Sequence, residues 1–304
     1  MRFSLDNRRI FCYNETEKNG SSDPKKERCV MVKILRTELD LGLERPIKIL
    51  HITDTHITES NDEDDQRMKD LIEMRRKTFI KEGNYAPRTP QEYLIEAFEL
   101  AEAEGAYSVL TGDITDLNSA GGRIALHECL DGREFLFTAG THEFQRSSCT
   151  PKCCPLEEPG TYYEDTRAAL QAEFPWNWDS DSRVIGGINL VTLDNSQGFF
   201  TEDAYGKLQC EIEKGLPMIL FMHVPLTCET LKRVPHVAPY EFYRFSQEEY
   251  EISRKTVDLI ESCPMVKATF AGHWHCESLY PDHQPPTFVT PGTYAGIVRL
   301  IEIK

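Results

Sequence analysis

The sequence predicts an α/β fold, on three observations. Five apolar runs of strand length, at 47–52, 107–110, 135–139, 218–222 and 268–271, each give way directly to a short polar cluster. Between them lie stretches with helical apolar spacing. The 304 residues suffice for one extensive core without calling for a second. In α/β architectures ligands bind beyond the carboxyl ends of the strands, so five such ends would converge on one site.

The elements follow in order. Residues 1–45 read as an N-terminal β extension packed on the flank or edge of the core. It holds a hairpin candidate at 2–5 and 9–13, a polar connection, and a strand candidate at 29–35. The motif-bearing domain is 46–304. Its first strand, 47–52, leads into Asp54 and His56. An insertion follows, opening on the acidic run 61–65 and continuing with a helical pattern of Met68, Leu71, Ile72, Met74, Phe79 and Ile80 until Gly83 and Pro87 break it. The acidic run reads as a helix N-terminus favoured by the macrodipole rather than as a separate metal site. A helix over 90–104, closed by Gly105, would cover the sheet between the first two motif strands. Strand 107–110 runs into Asp113 and Asp116, and 135–139 into Thr141, His142 and Glu143. Helices are expected at 164–174, 202–214 and 246–262, the second capped by Thr201 or Asp203. Strand 218–222 delivers His223, and 268–271 delivers His273 and His275.

These clusters offer only oxygen and imidazole nitrogen, with no thiolate. That is the ligand set of two adjacent hydrolytic cations rather than of a structural zinc. Singly, Asp54-Thr-His56 is more often a turn, and Gly112-Asp113-Ile-Thr-Asp116 a turn or helix cap. The His273-Trp-His275 pair is stronger, because residues two apart in an extended segment share a face while Trp274 turns away.

In order and spacing the five clusters resemble the calcineurin-like metallophosphoesterases, from about Ile47 onward. The resemblance implies a two-sheet mixed β-sandwich flanked by helices, an α/β/β/α layering with a dinuclear site at one edge. The strands at 188–193, 288–290 and 297–303 would complete the second sheet. It also implies that Asp54, His56 and His275 hold one metal, that Asp113 bridges both, and that His223 and His273 hold the second. His142 would act as general acid or electrostatic stabiliser, oriented by Asp116. Two divalent ions drawn from Mn, Fe, Zn or Ni are implied, with a metal-bridging hydroxide attacking a phosphate mono- or diester. Thr141 departs from the family's Asn; a hydroxyl is a shorter and weaker donor than an amide oxygen, so the second site is expected to be weaker. Glu143 is expected to support its loop through backbone amides. The alternative reading is a catalytically weakened phosphoesterase-like binding module.

A net charge of −16 argues against a broad nucleic-acid or anionic-membrane surface, and hence against a nuclease. A small phosphate ester drawn in by the metals is the expected partner. With no apolar leader segment and no stretch of membrane-spanning length, the expected location is cytoplasmic. There, ten scattered cysteines are expected to be reduced. Cys149, Cys153 and Cys154 share a loop with no histidine or fourth cysteine nearby, and read as ordinary thiols. Substrate selection is expected from the loops 144–163 and 225–250, the latter carrying Arg233, His236, Tyr240, Tyr243 and Arg244.

Overall fold

A computed structural model describes residues 32–82, 88–145, 159–226, 247–281 and 283–304. The hairpin candidate, the Cys149/Cys153/Cys154 loop and most of the loop 225–250 fall outside them. Two mixed sheets face each other, with helices on both outer sides, as expected. The first sheet has the order β1-β11-β2-β3-β4: Lys33–Leu39, Ile297–Ile303, Ile47–Ile52, Tyr107–Leu110 and Phe135–Phe137. The second has the order β5-β6-β7-β8-β10-β9: Asp181–Ile185, Ile188–Thr192, Met218–Met222, Val266–Ala271, Thr287–Val289 and Ser278–Tyr280.

One strand changes sheet relative to the sequence reading. β11 lies in the first sheet, parallel to β1 and antiparallel to β2, with Arg299 opposite His51. Both its faces are largely buried, so side-chain alternation carried no signal of which sheet it joins. The described part of the N-terminal extension is β1, the edge strand beside it, four residues later than the strand expected at 29–35.

Strand periodicity assigns the layers. Ile49 of β2 and Ile219 and Phe221 of β7 point between the sheets with Val109, Ala268, Phe270, Phe288 and Ile301. Leu50 and Ile52 point outward beneath the helices of the first sheet, whereas Met218, Leu220 and Met222 do so on the second. The first set is covered by α2 (Pro90–Glu104), α3 (Ala120–Leu130) and α4 (Pro159–Glu173), the second by α5 (Glu202–Glu213) and α6 (Gln247–Ser262). Pro90 opens α2 and Thr89 caps it in a reciprocal box with Glu92; Gly105 closes it in the left-handed conformation, φ 62°. Thr201 is the cap of α5.

The insertion forms α1 (Gln66–Glu82). Its acidic prelude serves two helix starts. Asp65 accepts from Met68 N at 2.7 Å. Asp64 reaches across to accept from Ala120 N and Gly121 N at the start of α3, at 2.8 and 3.1 Å.

The sandwich interior is not wholly apolar. Arg299 is completely buried and donates to Thr290 Oγ1, Thr37 Oγ1 and Val289 O. Thr290 Oγ1 also meets His51 Nδ1 at 2.9 Å, and His51 Nε2 meets Thr111 Oγ1 at 2.8 Å, the imidazole lying edge-on to Phe221 and Phe270. Burial, then the Arg299 charge, pushes His51 down to about 3, so the ring is neutral. Among the described residues no helix is long and apolar enough to cross a membrane.

Candidate metal centre

The centre forms at the carboxyl ends of β2, β3, β4, β7 and β8. The β2–β3 ladder runs on past the strands, with Asp54 N bonded to Gly112 O at 3.0 Å, His56 N to Asp113 O at 2.8 Å and Ile57 N to Ile114 O at 2.7 Å. Within these loops Asp54, His56, Asp113, His273 and His275 take φ between 50° and 68°. Among the described residues they are the non-glycine positions with positive φ, each at a cost of about 1–2 kcal/mol. Two glycines admit the close approach of the loops. A Cβ on Gly140 would sit 2.3 Å from Asp113 Oδ1, and one on Gly272 2.1 Å from Asp54 Oδ2.

Each carboxylate is aimed by backbone of another loop. Asp54 accepts from His273 N at 2.9 and 3.1 Å and from Thr53 Oγ1 at 2.6 Å. Asp113 Oδ1 accepts from His142 N at 2.8 Å. Its Oδ2 stays turned inward, 3.3 Å from His223 Nε2, 3.8 Å from His56 Nε2 and 4.0 Å from His142 Nε2. Glu143, buried, takes the amides of Asp113, Ile114 and Gly140 at 3.0, 2.5 and 2.7 Å and so fastens the second and third motif loops together. Burial and the Asp113 charge lift its carboxyl to about 7.

The imidazoles are fixed through their outer nitrogens. His56 Nδ1 lies 3.0 Å from Asp116 Oδ1, and His223 Nδ1 2.8 Å from Thr111 O. Both acceptors lack a proton, so both Nδ1 atoms donate and both Nε2 atoms face inward. His142 Nδ1 lies 2.8 Å from the backbone carbonyl of Asp116 and 3.2 Å from its Oδ1. Burial disfavours a charged imidazole, but Asp113 and Asp116 outweigh it at His142, which rises to about 9. At His223 burial is likewise outweighed by Asp113, and the value rises to about 10. His273 is held down at about 3 by burial and then by His223. Burial would raise Asp113 and Asp116 too; neighbouring histidines and, at Asp116, Arg75 hold both well below the usual carboxylate range.

Three groups place their donor atoms within 4.8 Å of one another: Asp54 with His56, Asp113 and His275; Asp113 with His223 and His273; and Asp116 with His56 and His142. Asp113 belongs to the first two, and its inward oxygen stands between them. His56 Nε2 faces His275 Nε2 at 2.9 Å, and His223 Nε2 faces His273 Nδ1 at 3.1 Å. Nitrogens at that range need a proton or a cation to relieve the facing lone pairs, and the oxygen and imidazole donors of these groups suit divalent metal ions.

A family model described as calcineurin-like phosphoesterase matches residues 47–277. The chain belongs to the calcineurin-like phosphoesterases. No curated protein sequence matches it as a relative. Among solved structures it is similar to a putative 5'-nucleotidase from Staphylococcus aureus, at 10% identity and a TM-score of 0.47, covering 82% of this chain and 49% of that one. It is also similar to the calcineurin-like phosphoesterase YfkN from Bacillus subtilis, at 14% identity and a TM-score of 0.40, covering 82% of each chain. The chain thus spans about half the length of the nucleotidase. The family assignment rests on the sequence match, and the fold on the chain's own two sheets.

The sequence-predicted Asp and His residues are brought together, and the Thr141 hydroxyl donates to Ser196 O at 2.9 Å, which leaves its lone pairs for any cation. Several contributors were not anticipated. Arg75 of α1 forks onto Asp116. Phe79, also of α1, stacks on His56 at 4.7 Å, and Tyr294 packs edge-on against His56 and His275. Buried Asn195 clamps Val224, next to His223, accepting from its N–H at 3.0 Å and donating to its carbonyl at 2.7 Å. Asn195 follows β6 in the polar run Asp194-Asn195-Ser196, the same strand-exit signal that marked the other clusters.

Proposed function

We propose that this phosphoesterase hydrolyses a small phosphate mono- or diester with two divalent cations, one held by Asp54, His56 and His275, the other by His223 and His273, both sharing Asp113. The observation that supports this most is the inward oxygen of Asp113, flanked on one side by His223 Nε2 and on the other by His56 Nε2. Bound there, the cations would supply Lewis acidity toward the ester and lower the pKa of an attacking water. The protein's own part falls to His142. Its Nδ1–H is held by the Asp116 carbonyl and its Nε2 faces the centre, the position from which a protonated ring would hand its proton to the leaving oxygen. The ring is partly exposed, as a group that meets substrate must be.

The test is elemental analysis of the purified protein together with a screen of phosphate mono- and diesters under added manganese. Close to two equivalents of metal with turnover supports the reading. His142→Ala should then slow alkyl esters ~10²-fold more than aryl esters with acidic leaving groups. Bound metal without turnover of any ester would favour the weakened binding module.

A further inference from the structure

We propose that Arg75, on the insertion helix α1, is a positioning residue that sets the orientation of both His142 and His56 through Asp116. The inference rests on the reading of His142 as the proton donor. Arg75 Nε donates to Asp116 Oδ2 at 2.6 Å and Nη2 to Oδ1 at 2.8 Å, a two-pronged pairing that fixes the plane of the carboxylate as well as its position. That plane matters because Oδ1 accepts from His56 Nδ1 at 3.0 Å and lies 3.2 Å from His142 Nδ1, whose proton the Asp116 carbonyl also holds at 2.8 Å. An Asp carboxylate has a broad, soft χ2, so the motif loop alone can place the Asp116 side chain without fixing where Oδ1 points.

The guanidinium is itself constrained. It lies over the Phe79 ring at 4.8 Å, and that ring stacks on His56 at an interplanar angle of 21°. Arg75 and Phe79 are one turn apart on α1, so the helix grips the first half of the centre twice, through the carboxylate behind His56 and across the face of His56 itself. Asp116 is completely buried, and Arg75 pairs with it from a side chain that still reaches solvent. A lysine would carry the charge but not the fork, and so separates neutralisation from orientation.

The experiment compares wild type, Arg75→Lys and Arg75→Ala in two arms. In metal-free protein, long-range proton–nitrogen spectra of the imidazoles should show slowly exchanging Nδ1–H signals for His56 and His142 in wild type. Both should shift and exchange faster in the two variants. In protein assayed at saturating metal, kcat for an alkyl phosphate should fall roughly 10- to 100-fold and that for 4-nitrophenyl phosphate only a few-fold, with KM unchanged. Added guanidinium should restore part of the loss in Arg75→Ala. Unchanged imidazole signals in Arg75→Ala would overturn the proposal whether or not any ester is turned over. A raised KM with kcat intact would instead assign Arg75 to the substrate phosphate. Equal losses on both esters with loss of metal would reduce it to a structural role. If wild type turns over neither ester, the hydrolase reading fails, while the spectra still decide the place of Arg75.

Discussion

On one side of Asp113, His56 gives its Nδ1–H to a carboxylate, Asp116, that is forked in turn to Arg75. On the other, His223 gives its Nδ1–H to a neutral carbonyl, that of Thr111. The first brace is ionic and anchored on α1, a helix outside both sheets. The second is dipolar and anchored in the sandwich, since the Thr111 hydroxyl continues through His51 and Thr290 to Arg299. An anionic acceptor makes an imidazole a more basic ligand than a neutral one does. The half around His56 is therefore braced by charge, and the half around His223 by the sandwich behind it. Thr141, beside the second half, gives its hydroxyl proton to Ser196 O and keeps its lone pairs.

The largest effect should come from the residue common to both halves. Asp113→Asn should bring activity to background and lower metal content on both sides, whereas His56→Ala and His223→Ala should each empty mainly their own. Loss of bound metal would also cost the native state the stabilisation that a tight ligand confers. Unchanged stoichiometry in Asp113→Asn would mean that the halves do not share it.

An intermediate effect should appear in the pH dependence of stability under a chelator. His142 and His223, at about 9 and about 10, lie above free imidazole, so their contribution is complete below pH 6.5 and drains away as pH rises through those values. His51 and His273, pushed down to about 3, work the other way: their contribution is complete above pH 6.5 and is lost as pH falls. Asp113 and Asp116, held well below the carboxylate range, lose theirs in acid as well. The chelated protein should accordingly be most stable near pH 6.5, declining on both sides, and saturating manganese should remove most of the alkaline decline. Melting temperatures from pH 5 to 10.5, with and without metal, measure this. An alkaline decline of the same size in both would detach these histidines from cation binding.

The smallest effect belongs to Thr141. Restoring an amide oxygen with Thr141→Asn should tighten the His223 side a few-fold in a metal titration of activity and of bound metal, and leave the His56 side alone. If wild type already binds both ions tightly and Thr141→Asn weakens one, the second half draws a ligand from elsewhere and its supposed weakness disappears.

The residues converging on the centre were legible because hydrolytic metal chemistry demands scarce residue types, and strand ends announce where they go. Asp54, His223 and His275 each follow an apolar run that the structure builds as a strand. The placement of 297–303 was not legible, since a strand buried on both faces has no alternation to read. Arg75 was hidden for a different reason: a cation on an amphipathic helix ordinarily faces water, and its partner lies 41 residues along the chain. His51 sits inside an apolar strand run, where nothing local distinguishes a ring that ties two sheets together from one that fills space. Asn195 could have been found by the rule that found the others.

The left-handed backbone at Asp54, His56, Asp113, His273 and His275 bears on how such a centre persists. Glycine would relax the strain at all five positions, and asparagine would ease it at most of them, so each has a more comfortable replacement that would stabilise the fold while removing a donor atom. This chain holds all five uncomfortable choices together, two aspartates and three histidines, so the backbone carries about 1–2 kcal/mol of strain at each position whose side chain it turns inward.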